Sequence, residues 1–149
     1  QTVAFKQAIS GDKRVIVFGG AIRGGKTYWL LLTIANLALT YGGSRWVIIR
    51  KSLPDLKRTT FPSFTGLLGD GLNAHIRSWN RDTNVVTFNN GSELIFMAES
   101  FDEDKDLNRF RGLEVNGAGL DEVNELQEPT FYKVQERIGD AVGARHRAQ

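Results

Sequence analysis

Eight residues near the start of the chain, Gly20-Ala21-Ile22-Arg23-Gly24-Gly25-Lys26-Thr27, carry the spacing G-x-x-x-x-G-K-[ST]. Each residue type in that pattern has a chemical use. Glycines let the backbone curl until successive N–H groups point at one anion. A helix opening directly afterwards adds its unsatisfied N–H groups and the positive end of its dipole. Lys26 would reach the β- and γ-phosphates of a bound nucleotide, and the Thr27 hydroxyl would bind Mg²⁺. The chemistry indicated is the cradling of a nucleoside triphosphate by residues 20–27. Arg23, inside the turn, could contact the γ-phosphate from the same subunit, or it could face solvent or pair with a nearby carboxylate.

A site that hydrolyses a nucleotide needs carboxylates opposite the phosphates. Asp121-Glu122 is the candidate pair. An aspartate at a strand end can hold Mg²⁺, commonly through water, and an adjacent glutamate can accept a proton from the attacking water. The lead-in at residues 115–120, VNGAGL, is poor in β-branched residues for a buried strand. The pair could instead be an acidic turn opening a solvated helix, since Glu125 and Glu128 follow. Arg109 and Arg111 lie one loop upstream. Either could enter a neighbouring subunit's site as an arginine finger, or pair with Asp102, Asp104 or Asp106.

These residues need elements to position them. Residues 15–18 (VIVF) and 46–49 (WVII) read as strands buried on both faces. Between them Leu30, Leu31, Ile34, Leu37, Ala38 and Tyr41 recur at helical spacing, and Gly42-Gly43 stops the helix. Strand, helix and strand in that order predict a βαβ unit with a parallel sheet and a right-handed crossover. Pro54 opens a helix running towards Leu68 that Pro62 is expected to interrupt. Residues 84–88 and 92–97 flank Asn89-Asn90-Gly91, a strong hairpin signal, and residues 75–79 can add a third strand. Residues 101–108 predict an acidic loop or short helix, and residues 128–138 a helix with Pro129 in its first turn. Trp29, Trp46 and Trp79 read as packing residues, and Phe61 and Phe64 as packing a loop around Pro62.

The bulk properties narrow the classes. A length of 149 residues suits one domain with a single core. No cysteine is present, which excludes disulfides and thiolate metal sites and fits a reducing cytoplasm; two histidines, His75 and His146, make a histidine-rich metal site unexpected. The longest apolar candidate, residues 28–39, is broken by Thr33 and Asn36 and is too short for a bilayer, and no secretory leader pattern is visible. Net charge is +2 with a pI of about 9.1, too mild to argue for nucleic acid alone. Arg50, Lys51, Lys57 and Arg58 form one basic group, and Arg137, Arg145 and Arg147 another; both read as solvated faces.

Taken together the motifs resemble the N-terminal ATPase domain of the terminase large subunit of tailed phages and prophages, a DNA-packaging motor. Gln1 with RVIVFGGAIRGGKT is similar to the family's opening. RWVIIRKSLPDLKRTTFPSF resembles its second strand and arginine-lysine turn, VVTFNNGSELIFMAES its hairpin, and FRGLEVNGAGLDEVNEL its acidic ATPase motif. The resemblance implies a P-loop NTPase of RecA-like (ASCE) type: an α/β fold with a mainly parallel sheet flanked by helices and an antiparallel hairpin insertion. It implies ATP and Mg²⁺ as cofactors. Gln1 would lie near the adenine, with Gly20, Ala21, Ile22, Arg23, Gly24, Gly25, Lys26 and Thr27 around the phosphates. Thr27 and Asp121 would serve the metal and Glu122 would be general base, with Arg23 in the place of the family's P-loop arginine. Arg111 matches the position from which a trans-acting arginine could come, with Arg109 close by.

The same resemblance implies double-stranded DNA, a portal and a small terminase subunit as partners, a homo-oligomeric ring in the full-length protein, no membrane association, and the host cytoplasm as location. It also implies a further sheet strand beyond Gln149 and a C-terminal nuclease domain, so residues 1–149 are expected to be a fragment, an ATPase domain truncated before its last core strands. Two other classes fit the motifs: a helicase or RecA-like recombination ATPase, and a nucleotide-binding assembly module with negligible hydrolysis.

Overall fold

A strand with no polar side must be covered on both faces, and the arrangement around RWVIIR meets that demand. The computed structural model describes residues 25–139. Among these, five strands form one sheet: β1 (Arg45–Arg50), β2 (Ile76–Asn80), β3 (Val85–Phe88), β4 (Glu93–Ala98) and β5 (Gly117–Leu120), in the order β2-β3-β4-β1-β5. β1 pairs in parallel with β4 on one side and β5 on the other. β3 is antiparallel to both β2 and β4. The helices are α1 (Lys26–Thr40), the single turn α2 (Leu53–Asp55), α3 (Phe61–Gly69) and α4 (Glu128–Arg137). The expected strand at residues 15–18, and the crossover it would start, lie outside the described residues.

Side chains alternate across a strand, so β1 feeds two cores. Trp46 and Ile48 pack with Leu94 and Phe96 of β4 beneath α1 and α3, where Leu31, Ile34 and Phe64 are buried. Val47, Ile49 and Ile95 point to the opposite face and meet Phe110, Val115 and Val134. Each such side chain contributes roughly 1.5–3 kcal/mol when withdrawn from water.

Four expectations change. The hairpin is no insertion beside the sheet: β4 is the parallel neighbour of β1, because Leu94, Ile95 and Phe96 are apolar on both faces and suit a central strand. Its turn also caps α1. Asn90 Nδ2 donates to the carbonyls of Ala38 (2.8 Å) and Leu39 (3.2 Å), and Ser92 Oγ to those of Ala38 and Tyr41, satisfying acceptors that a helix end leaves open.

Pro62 does not interrupt the second helical segment. A π-helical turn, Leu56–Thr60, precedes it, and Phe61 N–H bonds to Leu56 O. The wider turn takes up the hydrogen-bond shift that a proline without an N–H demands. Phe61 and Phe64 therefore enter the core instead of packing a loop, edge-on to Trp79 and Phe96. His75 ends a 3-10 turn, Leu72–His75, and is not part of β2.

The glycines of β5 also have a packing reason. A Cβ on Gly117 would stand 2.5 Å from the Trp46 ring, and one on Gly119 2.7 Å from Ile48 and 3.0 Å from Leu30 of α1. Only bare backbone lets β5 come this close to α1. That close approach brings the end of β5 to the start of α1.

Candidate functional site

The C-terminal ends of the parallel strands β1, β4 and β5 deliver Arg50, Glu99 and Asp121 to one rim of the sheet, where open α/β sheets bind ligands. Asp121 is 4% exposed and directly follows β5, its N–H bonded to Ile49 O. Three side chains converge on its carboxylate. Thr27 Oγ1 donates to Oδ1 at 2.9 Å, Arg50 Nη1 to Oδ2 at 3.0 Å, and Thr60 Oγ1 to Oδ2 at 3.2 Å. Residues 94 positions apart in sequence, Thr27 and Asp121, are thus in contact.

Thr27 sits in the first turn of α1. Gly25, at the N-cap, has φ 68°, a left-handed conformation natural to glycine. No side chain caps this end of α1 among the described residues, and its first turn holds no acidic residue. The first turn of a helix carries N–H groups without intrahelical partners and the positive end of its dipole, a combination that suits an anion. Lys26 opens the same turn. Gln1, Gly20, Ala21, Ile22, Arg23 and Gly24 lie outside the described residues.

Glu122 follows Asp121 in a left-handed conformation, φ 53° and ψ 58°. That conformation costs a residue with a Cβ about 1–2 kcal/mol, and strain of this kind concentrates at functional positions. Glu125 N–H donates to the Glu122 carbonyl at 2.9 Å. The Glu122 carboxylate has no hydrogen bond or ion pair among the described residues.

Thr27 and Asp121 offer hard oxygen donors. Among the described residues no cluster of three or more His, Cys, Asp or Glu could hold a metal alone. Mg²⁺ keeps several waters and takes one or two protein oxygens beside phosphate oxygens, so this donor pair fits Mg²⁺ accompanied by a nucleotide.

Arg50 overturns a sequence expectation. The chain order groups it with Lys51, Lys57 and Arg58 as a solvated basic cluster; those three are exposed, whereas Arg50 is 6% exposed and bound to Asp121. Its one sequence signal is position, a charge ending an apolar strand buried on both faces. Thr60 left no signal, because only the π turn aims it at Asp121. Glu99, 1% exposed, accepts from Gln127 N–H at 2.8 Å and from the Thr130 hydroxyl, holding the start of α4 to the end of β4.

Arg109 and Arg111 separate clearly. Arg109 pairs with Asp104 at 3.3 Å and donates to Ala98 O at 3.1 Å. The exposed Arg111 side chain has no such partner among the described residues. Trp46 and Trp79 pack as expected, with the Arg81 guanidinium 3.3 Å above the Trp79 ring. No described helix is long and apolar enough to cross a membrane.

Residues 17–140 match the family model described as terminase large subunit, T4likevirus-type, N-terminal. The fold is similar to that of the large terminase from a thermophilic bacteriophage, with a TM-score of 0.71 and 20% identity over 91% of this chain. The chain spans 36% of that protein's length. None of the curated proteins matches it.

Proposed function

The chain belongs to the family of terminase large-subunit N-terminal domains, and from that premise we propose that it is the ATPase of a DNA-packaging motor. It is a P-loop NTPase of RecA-like type that hydrolyses ATP to drive double-stranded DNA into a procapsid. The observation that carries this is the contact of Thr27, in the first turn of α1, with Asp121 at the end of β5. Two segments from distant parts of the sequence converge where a triphosphate and its metal would lie. The family match favours this motor over a helicase or recombination ATPase.

The α1 N-terminus and Lys26 bind the phosphates, with Gly20, Ala21, Ile22, Arg23, Gly24 and Gly25 completing the cradle and Gln1 on the adenine side. Thr27 and Asp121 hold Mg²⁺, which supplies charge neutralisation at the phosphates when bound. Glu122, whose carboxylate is uncommitted among the described residues, orients the attacking water and takes its proton. Arg111, exposed and outside the Asp104 pairing that occupies Arg109, reaches a neighbouring subunit's site in a homo-oligomeric ring, while Arg23 acts within its own. Loss of the γ-phosphate changes the relation of the 20–27 turn to the 121–122 turn and so moves DNA. DNA is gripped by its phosphates, and binding should weaken steeply with salt. A portal and a small terminase subunit complete the motor.

ATP turnover by the full-length protein tests this. Glu122→Gln should lower kcat by about a hundredfold or more while nucleotide still binds. Lys26→Ala should abolish nucleotide binding. Undiminished turnover in Glu122→Gln would remove Glu122 from the mechanism, and unchanged binding in Lys26→Ala would remove the phosphate site.

A further inference from the structure

We propose that Arg50 is a positioning residue for this site, a clamp that holds both ends of the turn carrying Glu122; the proposal rests on the ATPase function assigned to that turn. Arg50 ends β1 with its side chain 7% exposed. Nη1 reaches Asp121 Oδ2 at 3.0 Å, one residue before Glu122, and Nη2 lies 3.8 Å from Glu125 Oε2, three residues after it. Its buried Nε has no hydrogen-bond partner among the described residues.

A guanidinium withdrawn from water at such a place is costly, and an apolar residue in its position commonly gives equal or better stability. Fold stability alone therefore does not account for it. Local geometry supplies another account. Glu122 occupies a left-handed conformation, and among the described residues no hydrogen bond or ion pair fixes its carboxylate. The carboxylate's direction then follows from the backbone, and the backbone is held by what grips its neighbours.

Arg50 grips both neighbours from a strand that is buried on its two faces and paired along both edges. Thr60, aimed by the π turn, shares Oδ2 with Arg50. With Oδ2 committed, Oδ1 remains turned to Thr27, and the carboxylate cannot rotate without breaking three bonds. One side chain thus sets the metal-side carboxylate and the angle of the base together. Phosphate binding by Lys26 and the α1 N-terminus does not pass through it, so kcat and affinity should separate.

The test compares the full-length protein with Arg50→Lys, Glu125→Gln, Thr60→Val and the Arg50→Lys/Glu125→Gln pair. Steady-state ATP hydrolysis and equilibrium binding of a fluorescent ATP analogue, with and without Mg²⁺, are the readouts. Arg50→Lys keeps the charge but loses the fork, and should lower kcat by about tenfold or more with KM and Mg²⁺-free affinity within about threefold. Glu125→Gln and Thr60→Val each remove one outer arm and should lower kcat by about two- to fivefold. The double variant should fall no further than Arg50→Lys alone, the non-additivity of groups acting as one unit.

A wild-type kcat in Arg50→Lys, or a parallel loss of Mg²⁺-free binding, overturns the clamp. Should Arg50→Lys fail to fold, unchanged kcat in both Glu125→Gln and Thr60→Val overturns it equally. Lys26→Ala separates the two levels. If the wild type binds no nucleotide through Lys26, the ATPase assignment falls and the clamp with it. If Lys26 behaves as assigned and the Arg50 series does not, the clamp alone falls.

Discussion

The carboxylates of this domain differ less in residue type than in what donates to them. Asp121 receives two hydroxyls and a guanidinium, Glu99 a backbone N–H and a hydroxyl, while Glu122 is left open among the described residues. The donors fix the first two in place, Asp121 where the proposed metal would lie and Glu99 against the start of α4, and Glu122 is left for the attacking water of the proposed reaction. Glu99→Ala would leave Gln127 N–H and the Thr130 hydroxyl unsatisfied beside a cavity, at about 1–3 kcal/mol for each buried group. Glu99→Gln keeps an acceptor and should lose less; urea denaturation of both variants measures the difference.

Asp104 belongs to the same scale. Backbone N–H groups of Arg109 and then Asn108, followed by their side chains, hold its carboxyl below the usual carboxylate range. The stabilisation is fully present above the ordinary carboxylate value, about 3.9, and is lost as pH falls through the lower folded one. Melting curves between about pH 2 and pH 5 should therefore show an acid-side loss that Asp104→Asn lacks, with no difference in pH response near neutrality.

At the scale of elements, β5 is a strand whose sequence looks unsuited to it. GAGL has little intrinsic preference for extended backbone, yet the neighbours leave no room for anything larger. Gly119→Val would press against Ile48 and Leu30 and should destabilise by about 1–3 kcal/mol through overpacking. It should also push α1 away from β5 and weaken the Thr27–Asp121 contact. A loss of stability with nucleotide affinity intact would show that α1 and β5 need not touch for binding. The π turn before Pro62 makes a related point: a proline that reads as a helix stop is accommodated by one wide turn, which also carries Thr60 to Asp121.

At the scale of the whole molecule, the sheet divides the interior into two cores served by alternate residues of the same strands. Phe64 and Phe110 lie on opposite faces. Phe64→Ala and Phe110→Ala should each cost about 3–5 kcal/mol, and their effects should add within about 0.5 kcal/mol, as for sites without shared partners. Chemical denaturation of the two singles and the double variant measures this. The proposed nucleotide site couples to the same equilibrium. Mg·ATP at about a hundred times its dissociation constant should stabilise the fold by about 2.7 kcal/mol, an effect absent in Lys26→Ala.

The buried strand at 46–49, the helix before it and the Asn-Gly turn were all legible in the amino-acid order, as was the motif on which the proposed nucleotide site rests. Each is local: hydrophobic period, glycine conformational freedom and short spacing act between near neighbours in the chain. The family, too, could be recognised from the order of its motifs. What tertiary structure decided is everything that depends on partners far away in sequence. Arg50 reads as one more surface cation until β1 is seen between two strands with Asp121 beside its end. Gly117 and Gly119 read as a defect until Trp46 and Leu30 fill the space that their missing side chains leave. A charge or a glycine carries no mark of its surroundings; burial and contact, which set its energy and its use, exist only once the chain is folded.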